Sequence, residues 1–293
     1  MRIEPISTAL GARVSDLDLH ALEGHGGFAE LREALDEYSV LVLPSQPLDD
    51  GQQMAFSALW GKMEPTKGVN PASGTVFARQ SNLDMASGEI IAAGDRRMDY
   101  QKGNYQWHAD STFKAVPSLC SILSARIVPP EGGNTEFVST RFAFETLPTQ
   151  RQQQLRELTV VHDFSVSRGR VGFEFSAAEA AHYPPVRHPL VQKNPRTGRE
   201  SLLIGAHAAH IDGWPVAKGA ALLDALLAEA TAAGPHYSHV WQADDIVIWD
   251  NRSVLHRATA YDTARHKRLM QRTTISNPQI LSTPAYQRLA ASS

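Results

Sequence analysis

Apolar residues along this chain fall mostly in short runs broken by glycine and proline, the pattern of strands joined by turns. Residues 3–19 alternate apolar and polar positions around Gly11, as an opening strand pair would. Leu31, Leu35 and Tyr38 recur at helical spacing within 28–38, and 39–43 then reads as a buried strand ended by Pro44. Asp49 or Asp50 is placed to cap a second helix running to Trp60, with Met54, Phe56, Leu59 and Trp60 on its apolar side. From 62 to 105 the pattern dissolves: Gly68, Pro71, Gly74, Gly88, Gly94 and Gly103 interrupt one predicted strand at 75–80. A stretch this long is either disordered or a functional lid, and its place just before the candidate chemistry below favours a lid.

Regular patterning returns with a strand at 118–128, a Pro/Gly turn, and a strand opening near Thr135. Pro148 suits the first turn of a helix continuing through Leu155, and 158–166 is a further predicted strand. A turn at 195–198 separates the apolar runs 189–191 and 201–204. The longest helix is expected over 216–232, where Leu222, Leu223, Leu226 and Leu227 make an apolar stripe and Gly234-Pro235 stops it. Residues 240–241 and 246–249 around the turn 242–245 read as a hairpin, followed by a strand at 253–258. Many short strands with a few helices predict a mainly β fold, a jelly-roll barrel flanked by helices. One domain is expected over 1–293, with a lid-like insertion at about 62–105 and a frayed end at 290–293.

Size and composition narrow the function. The 293 residues are enough for a sizeable core, and 42% hydrophobic with 20% charged residues is ordinary for a globular protein. A net charge of -3 offers no general attraction for nucleic acid or anionic membrane, so an acidic ligand must be met by local cations. No signal core or membrane-length apolar run stands out, and a cytoplasmic protein is expected. The single cysteine, Cys120, excludes an internal disulfide and a cysteine-based zinc cluster; in the apolar run 119–123 it reads as a buried thiol.

Candidate chemistry centres on Gln106-Trp107-His108-Ala109-Asp110-Ser111. On a strand, His108 and Asp110 would point to one face and could reach one metal ion. A third ligand would complete a 2-His-1-carboxylate set, which leaves neighbouring positions of an octahedral Fe(II) open for a chelating cosubstrate and oxygen. His256 is the candidate, although only a fold that joins distant strands could bring it there. His207 and His210 lie on an apolar segment and read as core or supporting histidines, and Asp250-Asn251 as a turn positioning the His256 strand. A cupin-like domain holding a metal without oxygen chemistry is an alternative. Hydrolytic zinc chemistry is a weaker one, since no general-base glutamate stands out beside the ligands.

Three segments together resemble the taurine dioxygenase family of Fe(II)/2-oxoglutarate-dependent oxygenases, over residues 10–274: Trp107-His108-Ala109-Asp110-Ser111, Gly132-Gly133-Asn134-Thr135-Glu136-Phe137, and 249–258 followed by Arg268 and Arg272. Within it, 203–210 and Val254-Leu255-His256-Arg257 are most similar to the 2,4-dichlorophenoxyacetate dioxygenases. The resemblance implies a double-stranded β-helix, with His108, Asp110 and His256 as iron ligands and O2 and 2-oxoglutarate as cosubstrates. It implies Arg268 as partner of the distal 2-oxoglutarate carboxylate, helped by the Thr135 hydroxyl, with Lys267 competing for the arginine's role. Arg272 is implied to hold an anionic group of the substrate or the proximal end of the cosubstrate. Lys67 stands near a position where relatives place a substrate-carboxylate lysine, and Arg79 is a weaker candidate. Aromatic contacts are sought around Phe77, Tyr105, Phe113 and Phe173. The implied substrate is a small aryloxyalkanoate, hydroxylated beside its ether oxygen to give a phenol and glyoxylate with succinate and CO2; ascorbate is a candidate stimulant. A taurine, sulfonate or sulfate-ester substrate is the alternative within the family. No nucleic-acid or membrane partner is expected, and assembly into a homo-oligomer is left open.

Overall fold

Val40-Leu41-Val42-Leu43 is apolar at every position, as a strand buried on both faces requires, and it lies near the middle of the main sheet. The computed structural model describes residues 1–7, 9–19, 22 and 27–291. Its strands in chain order are β1 (Arg2–Pro5), β2 (Ala12–Ser15), β3 (Val40–Leu43), β4 (Phe77–Ser81), β5 (Ser118–Ile127), β6 (Thr135–Ser139), β7 (Thr159–His162) and β8 (Val186–Pro189). They continue with β9 (Val191–Lys193), β10 (Glu200–Leu202), β11 (Ala208–Ile211), β12 (His236–His239), β13 (Ile246–Asp250), β14 (Val254–Ala258) and β15 (Leu269–Ser276). Seven of them form one sheet in the order β1-β2-β3-β13-β5-β15-β4.

Strand periodicity divides this sheet's side chains between two cores. Leu41, Leu43, Cys120, Ile122, Ile246 and Ile248 face outward against Leu31 and Leu35 of helix α1 (Gly27–Tyr38) and Phe56 and Trp60 of helix α2 (Asp50–Trp60). Val40, Val42, Leu123, Val247, Trp249 and Met270 face the other way, onto Phe137 of β6 and Val254 of β14. Val138 and Leu255, on the far side of those two strands, pack with Leu223 and Leu226 of the helix Val216–Ala233. Two strand layers wrapped in helices are the jelly roll expected from the sequence. The smaller layer is split among the described residues into the ladders β12-β6-β14, β11-β7-β8 and β10-β9, so no closed barrel forms.

The opening strand pair, α1, α2 and the helix over 216–233 form where the sequence places them. Asp49 is the cap of α2: its carboxylate accepts from the Gln52 amide while the Gln52 side chain accepts from the Asp49 amide. Elsewhere the structure departs from the pattern. The strand predicted over 158–166 stops at His162, because the Asp163 carboxylate accepts from the Ser165 amide and starts the helix Phe164–Gly169. The predicted hairpin over 240–249 does not form: β12 pairs with β6 and β13 with β3 and β5, so 242–245 carries the chain from one layer to the other. The insertion at 62–105 holds β4 and a helix, Arg96–Gln101, besides irregular chain. It is tied to the sheet by the pairing of β4 with β15, and Asn82 joins it to the chain before β15, its side-chain amide donating to the Thr263 and His266 carbonyls. Ala290 and Ala291, expected to fray, end the helix Pro284–Ala291; Ser292 and Ser293 lie outside the described residues, as does Thr8 of the opening segment. No described helix is long and apolar enough to cross a membrane.

Candidate active site

His108 and His256 meet through a single antiparallel bridge, their amides and carbonyls exchanging bonds of 3.0 and 2.8 Å. That bridge sets their ring centroids 4.2 Å apart. Asp110 does not follow on a strand, as the period-2 argument supposed. The chain turns after the bridge, with Ser111 at φ 57, and side chains pin the turn: the Asp110 amide donates to Asn251 Oδ1 (3.0 Å) and its carbonyl accepts from Ser118 Oγ (2.7 Å). Asn251 donates in turn to Ser121 Oγ, which donates to Asp110 Oδ2 at 2.7 Å. The Asp250-Asn251 turn therefore positions Asp110 as well as the His256 strand.

Donor atoms of His108, Asp110 and His256 all lie within 4.8 Å of one another. Nε2 of His256 is 3.6 Å from Asp110 Oδ2, and Nε2 of His108 is 3.9 Å from Oδ1. Both ring nitrogens of His256 are buried without a hydrogen-bond partner, a costly state for an imidazole unless a lone pair is used otherwise. His108 commits Nδ1 to the Gln106 carbonyl at 2.8 Å, which leaves Nε2 for the cluster. Burial pushes both imidazoles below their usual range and keeps them neutral. Burial alone would raise the Asp110 carboxyl, but the Arg272 guanidinium, helped by the Ser121 hydroxyl, outweighs it and holds the carboxyl below the usual carboxylate range. Neutral imidazoles and an ionised carboxylate are the forms a metal ion needs, so the residues fit one.

Beside His108 and Asp110 lies a cavity of about 540 Å³, lined also by Phe113, Phe164, Tyr183 and Arg272; His256 is not part of its lining. Arg272 Nη1 donates to Asp110 Oδ1 at 2.6 Å. Lys67 is exposed on the same cavity, and Arg79 is engaged by Gln271 Oε1 at 2.9 Å. A second cavity of about 250 Å³ shares Gln80, Gln101 and Asn104 with the first and is lined by Arg268, Tyr105 and Tyr261. Arg268 is buried; its Nη2 donates to the Gly133 carbonyl (3.1 Å) while Nε has no partner. Lys267, its competitor, is exposed and donates to the Gly88 carbonyl. Thr135 is buried on β6, where its hydroxyl accepts from Trp241 Nε1 at 3.0 Å, and it lines neither cavity.

Of the aromatic candidates, Phe113 lines the main cavity, stacked 3.9 Å from Phe164, and Tyr105 lines the smaller one. Phe77 and Phe173 line neither; Phe173 sits behind Tyr100, ring to ring at 5.4 Å. His207 lies 5.8 Å from the His108 ring with Nδ1 bonded to Ser167 Oγ, a supporting position, as its apolar context suggested. Sequence reasoning missed Arg168, Tyr100, Phe164 and Tyr183, which reach the cavity from segments with no motif. It also missed Glu64, whose Oε2 accepts from Ser111 Oγ (2.6 Å) and Lys114 Nζ (2.5 Å).

A family model described as taurine catabolism dioxygenase TauD, TfdA family matches residues 2–274. The alpha-ketoglutarate-dependent 2,4-dichlorophenoxyacetate dioxygenase of Cupriavidus pinatubonensis is 37% identical over 278 residues, covering 93% of this chain and 97% of that protein. The (S)-phenoxypropionate/alpha-ketoglutarate-dioxygenase of Sphingobium herbicidovorans is 35% identical over 279 residues, covering 92% of each. Among solved structures, AAD-2 in complex with Mn(II) and N-oxalylglycine superposes with a TM-score of 0.87 at 36% identity, covering 94% of this chain and 98% of that one. Full-length matches of this kind, on a chain whose buried histidines and aspartate converge beside two joined cavities, mean that it belongs to the TauD/TfdA family and is an alpha-ketoglutarate-dependent dioxygenase, with the metal and keto acid which that membership implies.

Proposed function

We propose that this protein oxidises a small aryloxyalkanoate acid at the carbon beside its ether oxygen, using 2-oxoglutarate, O2 and Fe(II) held by His108, Asp110 and His256. The observation that carries the reading is the convergence of three buried donor groups, two of which, His108 and Asp110, line an aromatic-walled cavity with cations in its wall. Bound there, Fe(II) supplies the redox chemistry that couples decarboxylation of the keto acid, to succinate and CO2, with hydroxylation of the substrate.

This chain's own residues bind, orient and keep water out. The planar fork of Arg268 matches the distal carboxylate of 2-oxoglutarate, which a lysine point charge would not. Trp241 occupies a lone pair of the Thr135 hydroxyl, so its proton is free to be offered to that carboxylate. Arg272 steadies Asp110 and lends its positive charge to the proximal end of the cosubstrate or to an anionic group of the substrate. Lys67, exposed on the cavity, draws an anionic substrate in. Phe113, Phe164 and Tyr183 give an aryl ring apolar surface. The 62–105 insertion acts as a lid, its residues Lys67, Tyr100, Gln101 and Asn104 closing over both cavities. Hydroxylation beside the ether oxygen leaves a hemiacetal, which collapses to the phenol and glyoxylate.

The test is aerobic turnover with Fe(II), 2-oxoglutarate and ascorbate across phenoxyacetates, taurine and an alkyl sulfate. Phenol and succinate formed in equal amounts from a phenoxyacetate are expected. Succinate driven by taurine or the alkyl sulfate, with no phenol from any aryloxy acid, would move the substrate to the sulfonate or sulfate-ester class.

A further inference from the structure

We propose that Arg168 binds the carboxylate of the substrate, an assignment that rests on the functional reading above and supplies an anion site separate from Arg272. Arg168 is only 6% exposed. Its guanidinium carbon lies 4.5 Å from the Tyr100 ring centroid and 4.8 Å from that of Phe164, so two aromatic faces hold it. Its Nε is buried without a hydrogen-bond partner, and among the described residues no carboxylate forms an ion pair with it. An unpaired buried cation is costly to maintain. The chain nevertheless makes room for it: a Cβ on Gly103 would lie 1.2 Å from Arg168 Nη1.

Other cations of the same cavity are engaged or exposed. Arg272 is held by Asp110, Lys114 by Glu64 and Arg79 by Gln271, and Lys67 is exposed. Arg168 is the buried positive charge left without an anion, on the cavity that also contains His108 and Asp110. Phe164, which flanks the guanidinium, also stacks on Phe113 at 3.9 Å, so an anion site and an aromatic surface adjoin. That juxtaposition suits an acid whose carboxylate is a short link away from an aryl ring, with the linking carbon left to face the metal ligands.

The test uses the full chain loaded with Mn(II) and 2-oxoglutarate under argon, with calorimetric titration of phenoxyacetate and of its neutral isostere, phenoxyacetamide. In Arg168→Met the acid should bind roughly ten- to hundredfold more weakly, as expected for a lost charge-assisted hydrogen bond, and the amide nearly unchanged. Affinity for 2-oxoglutarate should not move. Arg168→Lys should recover part of the loss, and Gly103→Ala, which displaces the guanidinium and keeps the charge, should also erode the acid preference. A wild-type acid preference in Arg168→Met overturns the assignment, and so does a loss confined to 2-oxoglutarate. If circular dichroism shows Arg168→Met unfolded, the same preference is read from the lysine and Gly103→Ala variants, and wild-type behaviour in both overturns it. Wild-type protein that binds neither phenoxy compound refutes the functional reading as well, which separates the two failures.

Discussion

Lys267 and Arg268 are neighbours of like charge, yet the backbone sends them to opposite environments. The Arg268 amide donates to Asn82 Oδ1 and its carbonyl accepts from Ser81 Oγ, which fixes that residue just before β15 with its side chain turned into the smaller cavity. Lys267 reaches the surface carbonyl of Gly88. Arg268→Lys should raise the KM for 2-oxoglutarate about tenfold or more, since a two-pronged match becomes a point charge, whereas Lys267→Ala should stay within about twofold. Initial rates against 2-oxoglutarate concentration measure both, and equal effects would refute the assignment. That His108, Asp110 and His256 could come together was legible at this scale, because few residue types can ligate a metal ion, and the structure does bring them together. Arg168 and Glu64 were not, because nothing beside them in sequence marks them and only burial within the folded cavity sets them apart.

Elements were legible where local rules decide and illegible where pairing partners do. The helix Val216–Ala233 has its leucine stripe and its stop within its own sequence. The 240–249 hairpin failed because Trp241 donates across to Thr135 of β6 while β13 is captured by β3 and β5, choices made between layers and invisible to a window of ten residues. The 158–166 strand failed on a single capping aspartate, Asp163. The same distinction between local and tertiary effects sets the sign of a substitution in the helix Val216–Ala233. Gly→Ala in an exposed helix interior normally stabilises by about 1 kcal/mol. At Gly219 the new Cβ would lie 2.5 Å from the Ile211 amide nitrogen of β11, backbone that cannot swing away. Gly219→Ala is therefore expected to destabilise, by roughly 1–3 kcal/mol, lowering the urea midpoint. A raised midpoint would show that helix propensity outweighs the contact.

Across the whole molecule, His188 ties three distant parts together. It lies on β8, its Nε2 donates to the Lys114 carbonyl at 3.0 Å just past the Asp110 turn, and its Nδ1 accepts from the Tyr286 hydroxyl at 3.1 Å in the helix Pro284–Ala291. Both nitrogens are thus used by the neutral ring. Burial, only partly offset by bonds to the Lys114 and Thr112 carbonyls, lowers its pKa to about 4. An unfolded histidine titrates near pH 6.5, so between there and about 4 the unfolded chain takes up a proton that the folded chain refuses. Stability from this group is complete above about pH 6.5 and drains away as the pH falls through the folded value, on the order of 3 kcal/mol in all. Thermal midpoints of the wild type should accordingly fall more steeply from pH 7 to 4.5 than those of His188→Gln, which keeps a donor toward Lys114 but cannot be protonated. Parallel slopes would place the acid sensitivity elsewhere. Because Lys114 also pairs with Glu64, which accepts from Ser111 beside Asp110, acid loosening that begins at His188 should reach the Asp110 turn before the α1 and α2 side of the sheet opens. Hydrogen exchange at pH 5 should show that order, with amides at 111–114 losing protection ahead of those in β3.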